Sequence, residues 1–124
     1  MLQSLLVNGH LTVLHRLTDF RVTPTRTDAA SFAAAALHDF EHPGVNNDFL
    51  IKTHNILAIL YNDASPNENH HVAGAYSLLM SDPGYNYSEK LAIEDKNILR
   101  ATTIELVLAT DMKKHFGLLS QFQV

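Results

Sequence analysis

His38, Asp39, Glu41 and His42 fall within five positions, directly after the alanine-rich run "AASFAAAAL" and directly before Pro43-Gly44. Ionisable groups set against buried-looking sequence cost solvation free energy unless something compensates, and a metal ion is a common compensation. The adjacent imidazole of His38 and carboxylate of Asp39 suit zinc, and a carboxylate can also bridge to a harder ion such as magnesium. The plainer alternative is a helix C-terminus whose histidine satisfies carbonyls and favours the dipole. His42 lies four residues beyond His38, but Pro43 argues against an undistorted helical pair and favours an outer-shell role for it. Five of the eight histidines (His38, His42, His54, His70, His71) fall within one stretch, residues 38–71.

Composition narrows the chemistry to these groups. The chain has 124 residues, enough for one domain with a real core, and no cysteine, which removes disulfides, thiolate metal sites and cysteine nucleophiles. Absence of cysteine also suits a protein inside the cell, and the cytoplasm is the expected compartment. The net charge of −4, from 9 basic and 13 acidic residues spread along the chain, gives no basic stripe for a phosphate backbone, so nucleic acid is not an expected partner. No apolar run approaches the ~18 residues of a membrane span, and the first residues show neither a basic leader nor a small-residue cleavage site.

The elements that would carry these groups all read as helices. After the loop "RVTPTRTD", Thr27 or Asp28 is the expected cap of "AASFAAAALHD", with Phe32 and Leu37 as its larger buried groups. Pro43-Gly44 would end that helix, placing His38 and Asp39 on its last turn. "NNDFLIKTHNILAILYND" reads as one or two short helices that stop near Asn62-Asp63. Ser65-Pro66-Asn67-Glu68 reads as a capping box with proline at the first helical position, followed by Val72, Tyr76, Leu79 and Met80 at helical spacing. Ser88 is a candidate cap for "EKLAIEDKNILRATTIELVLAT", whose apolar face is expected to be Leu91, Ile98, Ala101, Ile104 and Leu108. A short helical piece should follow Asp111. No alternating strand pattern, repeat or low-complexity segment occurs, so the expected class is all-α.

Three blocks carry a resemblance. "HDFEHPGVNNDFLIKTHNILAILYND" (residues 38–63), "ENHHVA" (68–73) and "LVLATDMKKHF" (106–116) resemble consecutive signature blocks of the class I cyclic-nucleotide phosphodiesterase catalytic domain, in family order and spacing, with "LQS" (2–4) extending the likeness. The resemblance implies a compact multi-helix fragment of the HD-type catalytic domain, covering 1–124, in a metallohydrolase that cleaves cAMP or cGMP to the 5′-monophosphate in signal transduction. It implies zinc and magnesium, or manganese, in a two-metal site. His38 would ligate the zinc and Asp39 would bridge both ions. His42 would hydrogen-bond water or hydroxide on the metals, and Glu68 would hold a water on the magnesium. Thr110 and Asp111 match outer-shell positions, while Asn47 and Met112 match residues near the nucleotide pocket. Two cations of this kind supply a nucleophile at neutral pH and neutralise charge growing on the phosphate oxygens.

Each assignment has a plainer counterpart. Glu68 can close the capping box, Asp111 can cap the last helix, Met112 can be core, and His70 and His71 can be packing or carbonyl-satisfying histidines. The family's first histidine motif, HNxxHAxDV, which supplies the general acid, has no equivalent around His10 and His15, and the late aspartate ligand and purine clamp lie beyond the matched blocks. The chain is therefore expected to be a piece of such a domain that is inactive alone if those parts are missing. Two alternatives stay open: a non-catalytic homologue that associates through exposed helical faces, and a broader HD-type metallophosphohydrolase.

Overall fold

The computed structural model describes residues 26–114 and 116, and its described residues form helices joined by turns, without a strand. The elements are α1 (Arg26–Leu37), α2 (Asn47–Lys52), α3 (Ile56–Leu60), α4 (Pro66–Ser81) and α5 (Ile93–Leu108). The all-α expectation is met. The readings made on "LQS", His10 and His15 lie outside the described residues.

Helix α1 buries Ala30, Ala33, Ala34 and Leu37, an i, i+3, i+4, i+7 stripe whose small side chains let α5 pack closely. On α5 the fully buried residues are Leu99, Thr103 and Val107, which flank the expected face, while Ile104 of that face packs half-buried against the core. Leu91, Ile93 and Ile98 stay exposed instead. Thr103 tolerates burial because its hydroxyl donates to the Leu99 carbonyl at 2.7 Å. Helix α4 contributes Val72, Ala75, Tyr76 and Leu79 to the same core, and Arg100 of α5 lies over the Tyr76 ring at 4.3 Å. An ion pair of 2.8 Å between Arg26 and Asp95 ties α1 to the first turn of α5.

Several boundaries differ from the expectation. Helix α1 ends at Leu37, ahead of Pro43, because residues 38–41 turn tightly, with the Phe40 amide donating to Leu37 O at 3.1 Å and the His42 amide to Asp39 O at 3.3 Å. Phe32 is 53 % exposed, so Phe40 takes the core position that Phe32 was expected to fill. Met80 is likewise exposed. Thr27 and Asp28 lie inside α1, not at its cap. Helix α5 starts at Ile93, and Asn86, not a helix amide, engages Ser88, accepting from both its amide and its hydroxyl. The two short helices form as expected, each capped by an asparagine: Asn46 Oδ1 accepts from the Phe49 amide and Asn55 Oδ1 from the Leu57 amide.

Candidate metal centre

The turn after α1 is held from below. Phe40 is buried among Val72, Ala75, Tyr76 and Leu79, which anchors the segment bearing His38, Asp39 and His42 over the first half of α4. Gly74 permits that approach, since a Cβ there would lie 3.2 Å from the Phe40 ring and 3.4 Å from the Glu41 carboxylate. Glu41 adopts φ 54°, a left-handed conformation that reverses the chain, and its carboxylate sits 3.3 Å from His70 Nε2.

This folding brings Asp39, His42 and His71 together, with one possible ligand atom from each lying within 4.8 Å of the others. The rings of His42 and His71 stack with centroids 5.4 Å apart. Asp39 and His42 are two of the residues singled out in the sequence; His38 is not one of this trio. His71 is the residue that sequence reasoning left as a packing or carbonyl-satisfying histidine, and it does satisfy a carbonyl, with Nδ1 2.6 Å from Phe40 O. A signal for it was present, because His71 belongs to the buried stripe of α4 with Val72, Ala75 and Leu79 and lies three residues beyond Glu68.

The hydrogen bonds sort the histidines by tautomer. A carbonyl only accepts, so His71 must carry its proton on Nδ1, and so must His38, whose Nδ1 lies 2.9 Å from Ala35 O. In both neutral rings the lone pair is then on Nε2. A backbone amide only donates, so His42 Nδ1, 2.9 Å from Gly44 N, is an acceptor and the proton of its neutral ring is on Nε2. Gly44 can present that amide because it adopts φ 79°. His38 and His71 are thus built as electron-pair donors braced by carbonyls, the arrangement common to metal-ligating histidines, and His42 as a hydrogen-bond donor. Burial lowers the His71 pKa below its usual value, with neighbouring His42 adding to the effect and the Phe40 hydrogen bond opposing it. A neutral imidazole at neutral pH is the form that binds a cation.

Beside this group lies a polar network. Asn47 Nδ2 donates to Glu68 Oε2 at 2.8 Å, Asn47 Oδ1 accepts from the Asn67 amide at 2.9 Å, and Asn67 Nδ2 donates to Val45 O at 2.9 Å. Glu68 therefore engages α2, and the capping box is not formed: Ser65 makes no side-chain cap, and its hydroxyl donates to Asp111 Oδ2 at 2.6 Å. Pro66 does occupy the first helical position. Asp111 Oδ1 accepts from the Lys113 amide at 2.9 Å, so the capping role also holds for this residue. Thr110 donates to Val107 O at 2.7 Å, and Met112 is 60 % exposed, which removes its core alternative.

A carboxylate and two imidazoles gathered on a helical scaffold define a nitrogen–oxygen donor set of the kind that zinc and manganese accept, and the residues present fit such ions. The 3'5'-cyclic nucleotide phosphodiesterase family profile matches residues 8–124, and the chain belongs to that family of hydrolases. It is 47 % identical over 93 residues to the cGMP-inhibited 3',5'-cyclic phosphodiesterase 3A of Rattus norvegicus, and equally to that of Homo sapiens, covering 75 % of this chain and 8 % of each relative. The 3',5'-cyclic-AMP phosphodiesterase 4C of Rattus norvegicus is 45 % identical over 94 residues, covering 76 % of this chain and 17 % of the relative. The chain thus spans a small part of the length of the curated relatives it matches. None of its helices, among the described residues, is long and apolar enough to cross a membrane.

Proposed function

We propose that this chain is a segment, residues 1–124, of a phosphodiesterase catalytic domain that hydrolyses the 3′,5′-cyclic phosphodiester of cAMP or cGMP to the 5′-monophosphate inside the cell, using zinc together with magnesium or manganese. The observation that carries this reading is the gathering of Asp39, His42 and His71, from two blocks about thirty residues apart, with lone pairs and protons fixed by backbone partners. His38, Asp39 and His71 would hold the cations, which supply a nucleophilic water near neutral pH and charge neutralisation at the phosphate when bound. His42 presents an Nε2 proton for a hydrogen bond to water or phosphate oxygen. Glu68, held by Asn47, orients water at the edge of the site, and Thr110 and Asp111 brace the outer shell. Asn47 and Met112 border the nucleotide side.

Turnover of cAMP or cGMP by the purified protein supplied with zinc and magnesium, abolished by His38→Ala or Asp39→Ala, supports catalysis by this chain itself. Turnover of unrelated phosphoesters but of neither cyclic nucleotide would point to the broader metallophosphohydrolase. A second reading, a non-catalytic module that pairs with an intact relative, draws on the exposed apolar side chains of α2 and α3, where Phe49, Ile59 and Leu60 lie in solvent and Ile56 is 71 % exposed. No turnover at any metal concentration, with stable association to an intact relative, favours that second reading.

A further inference from the structure

Ser65 has φ 45° and ψ 58°, a left-handed conformation that a serine adopts only when its surroundings hold it there. Its hydroxyl gives up the usual capping position and reaches across 46 residues of sequence to Asp111 Oδ2, and both residues are only 7 % exposed. The other oxygen of Asp111 caps the turn after α5 through the Lys113 amide. A single buried carboxylate thus joins the end of α5 to the start of α4, and α4 carries both Glu68 and His71. Ser65 supplies no cap bond and Pro66 no amide, so the first turn of α4 is tied on one side by Asn47, which takes the Asn67 amide and holds Glu68, and on the other by the Ser65–Asp111 bond to the end of α5.

We propose that Ser65 is a positioning residue, which Asp111 holds in its left-handed turn so that α4 presents Glu68 and His71 to the metal centre. This rests on the reading of Asp39, His38 and His71 as that centre. Letting α4 shift would displace His71 and Glu68 together, an effect on the order of the 10- to 100-fold loss of metal affinity that follows removal of a ligand's own hydrogen-bond partner. A purely structural role predicts something different, because glycine accepts the left-handed turn without strain.

The test titrates Co2+, a spectroscopic stand-in for zinc, into the whole chain, following its visible absorption and recording thermal unfolding of the same samples. Ser65→Gly should stay folded yet bind Co2+ at least about tenfold more weakly and with a changed spectrum. Asp111→Ala gives a second route to the loss and should weaken binding by a similar factor. Binding of Ser65→Gly or Asp111→Ala within about twofold of the unaltered chain, with an unchanged spectrum, overturns the inference. Failure of the unaltered chain to bind Co2+ at all overturns the metal-centre reading itself, and the inference with it.

Discussion

Replacing His71 with leucine removes a side chain that is 2 % exposed and whose Nδ1 proton goes to the Phe40 carbonyl at 2.6 Å. Leucine fills a similar volume, so the main loss is that hydrogen bond and the carbonyl left behind without it. Stranding a buried acceptor costs about 1–3 kcal/mol, which for a domain of this size corresponds to a fall in Tm of roughly 4–12 °C. The deficit should depend on pH, with a definite sign. Burial lowers the folded pKa of His71, so folding at acid pH must expel a proton that the unfolded chain binds. Its contribution to stability is complete above pH ~6.5, the unfolded value, and is lost as pH falls through the lowered folded value. The leucine variant has no such proton, so the gap between the two proteins should narrow as pH falls from about 8 towards 5. Thermal melts in chelator across that range read both effects. A gap that stays constant, or widens on acidification, would refute the assignment of His71 as a buried neutral imidazole.

The remaining predictions concern the scaffold. Leu37→Ala should destabilise the fold by about 2–5 kcal/mol in urea titrations, whereas Phe32→Ala, at a half-exposed site, should cost less than about 1 kcal/mol; the reverse order would mean that α1 turns its other face inward. Asn46→Ala and Asn55→Ala should each cost about 1 kcal/mol by removing the acceptor for the Phe49 or Leu57 amide, and Asn46→Asp should recover most of that loss. Hydrogen exchange should show the Phe49 amide exchanging faster in Asn46→Ala, and an unchanged rate would show that the cap is not formed.

The helices were legible where the local signal and the packing agree. Alanines at helical spacing, Pro66 at a first position and asparagine caps each act within a few residues, and those elements lie where expected. The misplacements arise where a distant partner decides. Ser65 has the sequence of a capping box, yet Asp111, far along the chain, takes its hydroxyl and leaves Glu68 to Asn47. The end of α1 reads as Pro43, but burial of Phe40 beneath α4 pulls the chain into a turn several residues earlier. The face of α5 was misjudged because Thr103 looks polar in sequence, while its hydroxyl is satisfied within its own helix. For the site, His38, Asp39 and His42 declare themselves by clustering in sequence. His71 does not, since its place beside Asp39 depends on the Phe40 carbonyl and on the room left by Gly74.

The central claim is that imidazoles braced by carbonyls and the Asp39 carboxylate hold a cation. X-ray absorption at the zinc edge of the zinc-loaded protein tests it most directly. The account predicts nitrogen and oxygen neighbours at about 2.0–2.2 Å with the outer-shell scattering of imidazole, diminished in His71→Leu and in His38→Ala. A spectrum of oxygen neighbours alone, unaltered by either substitution, would contradict it.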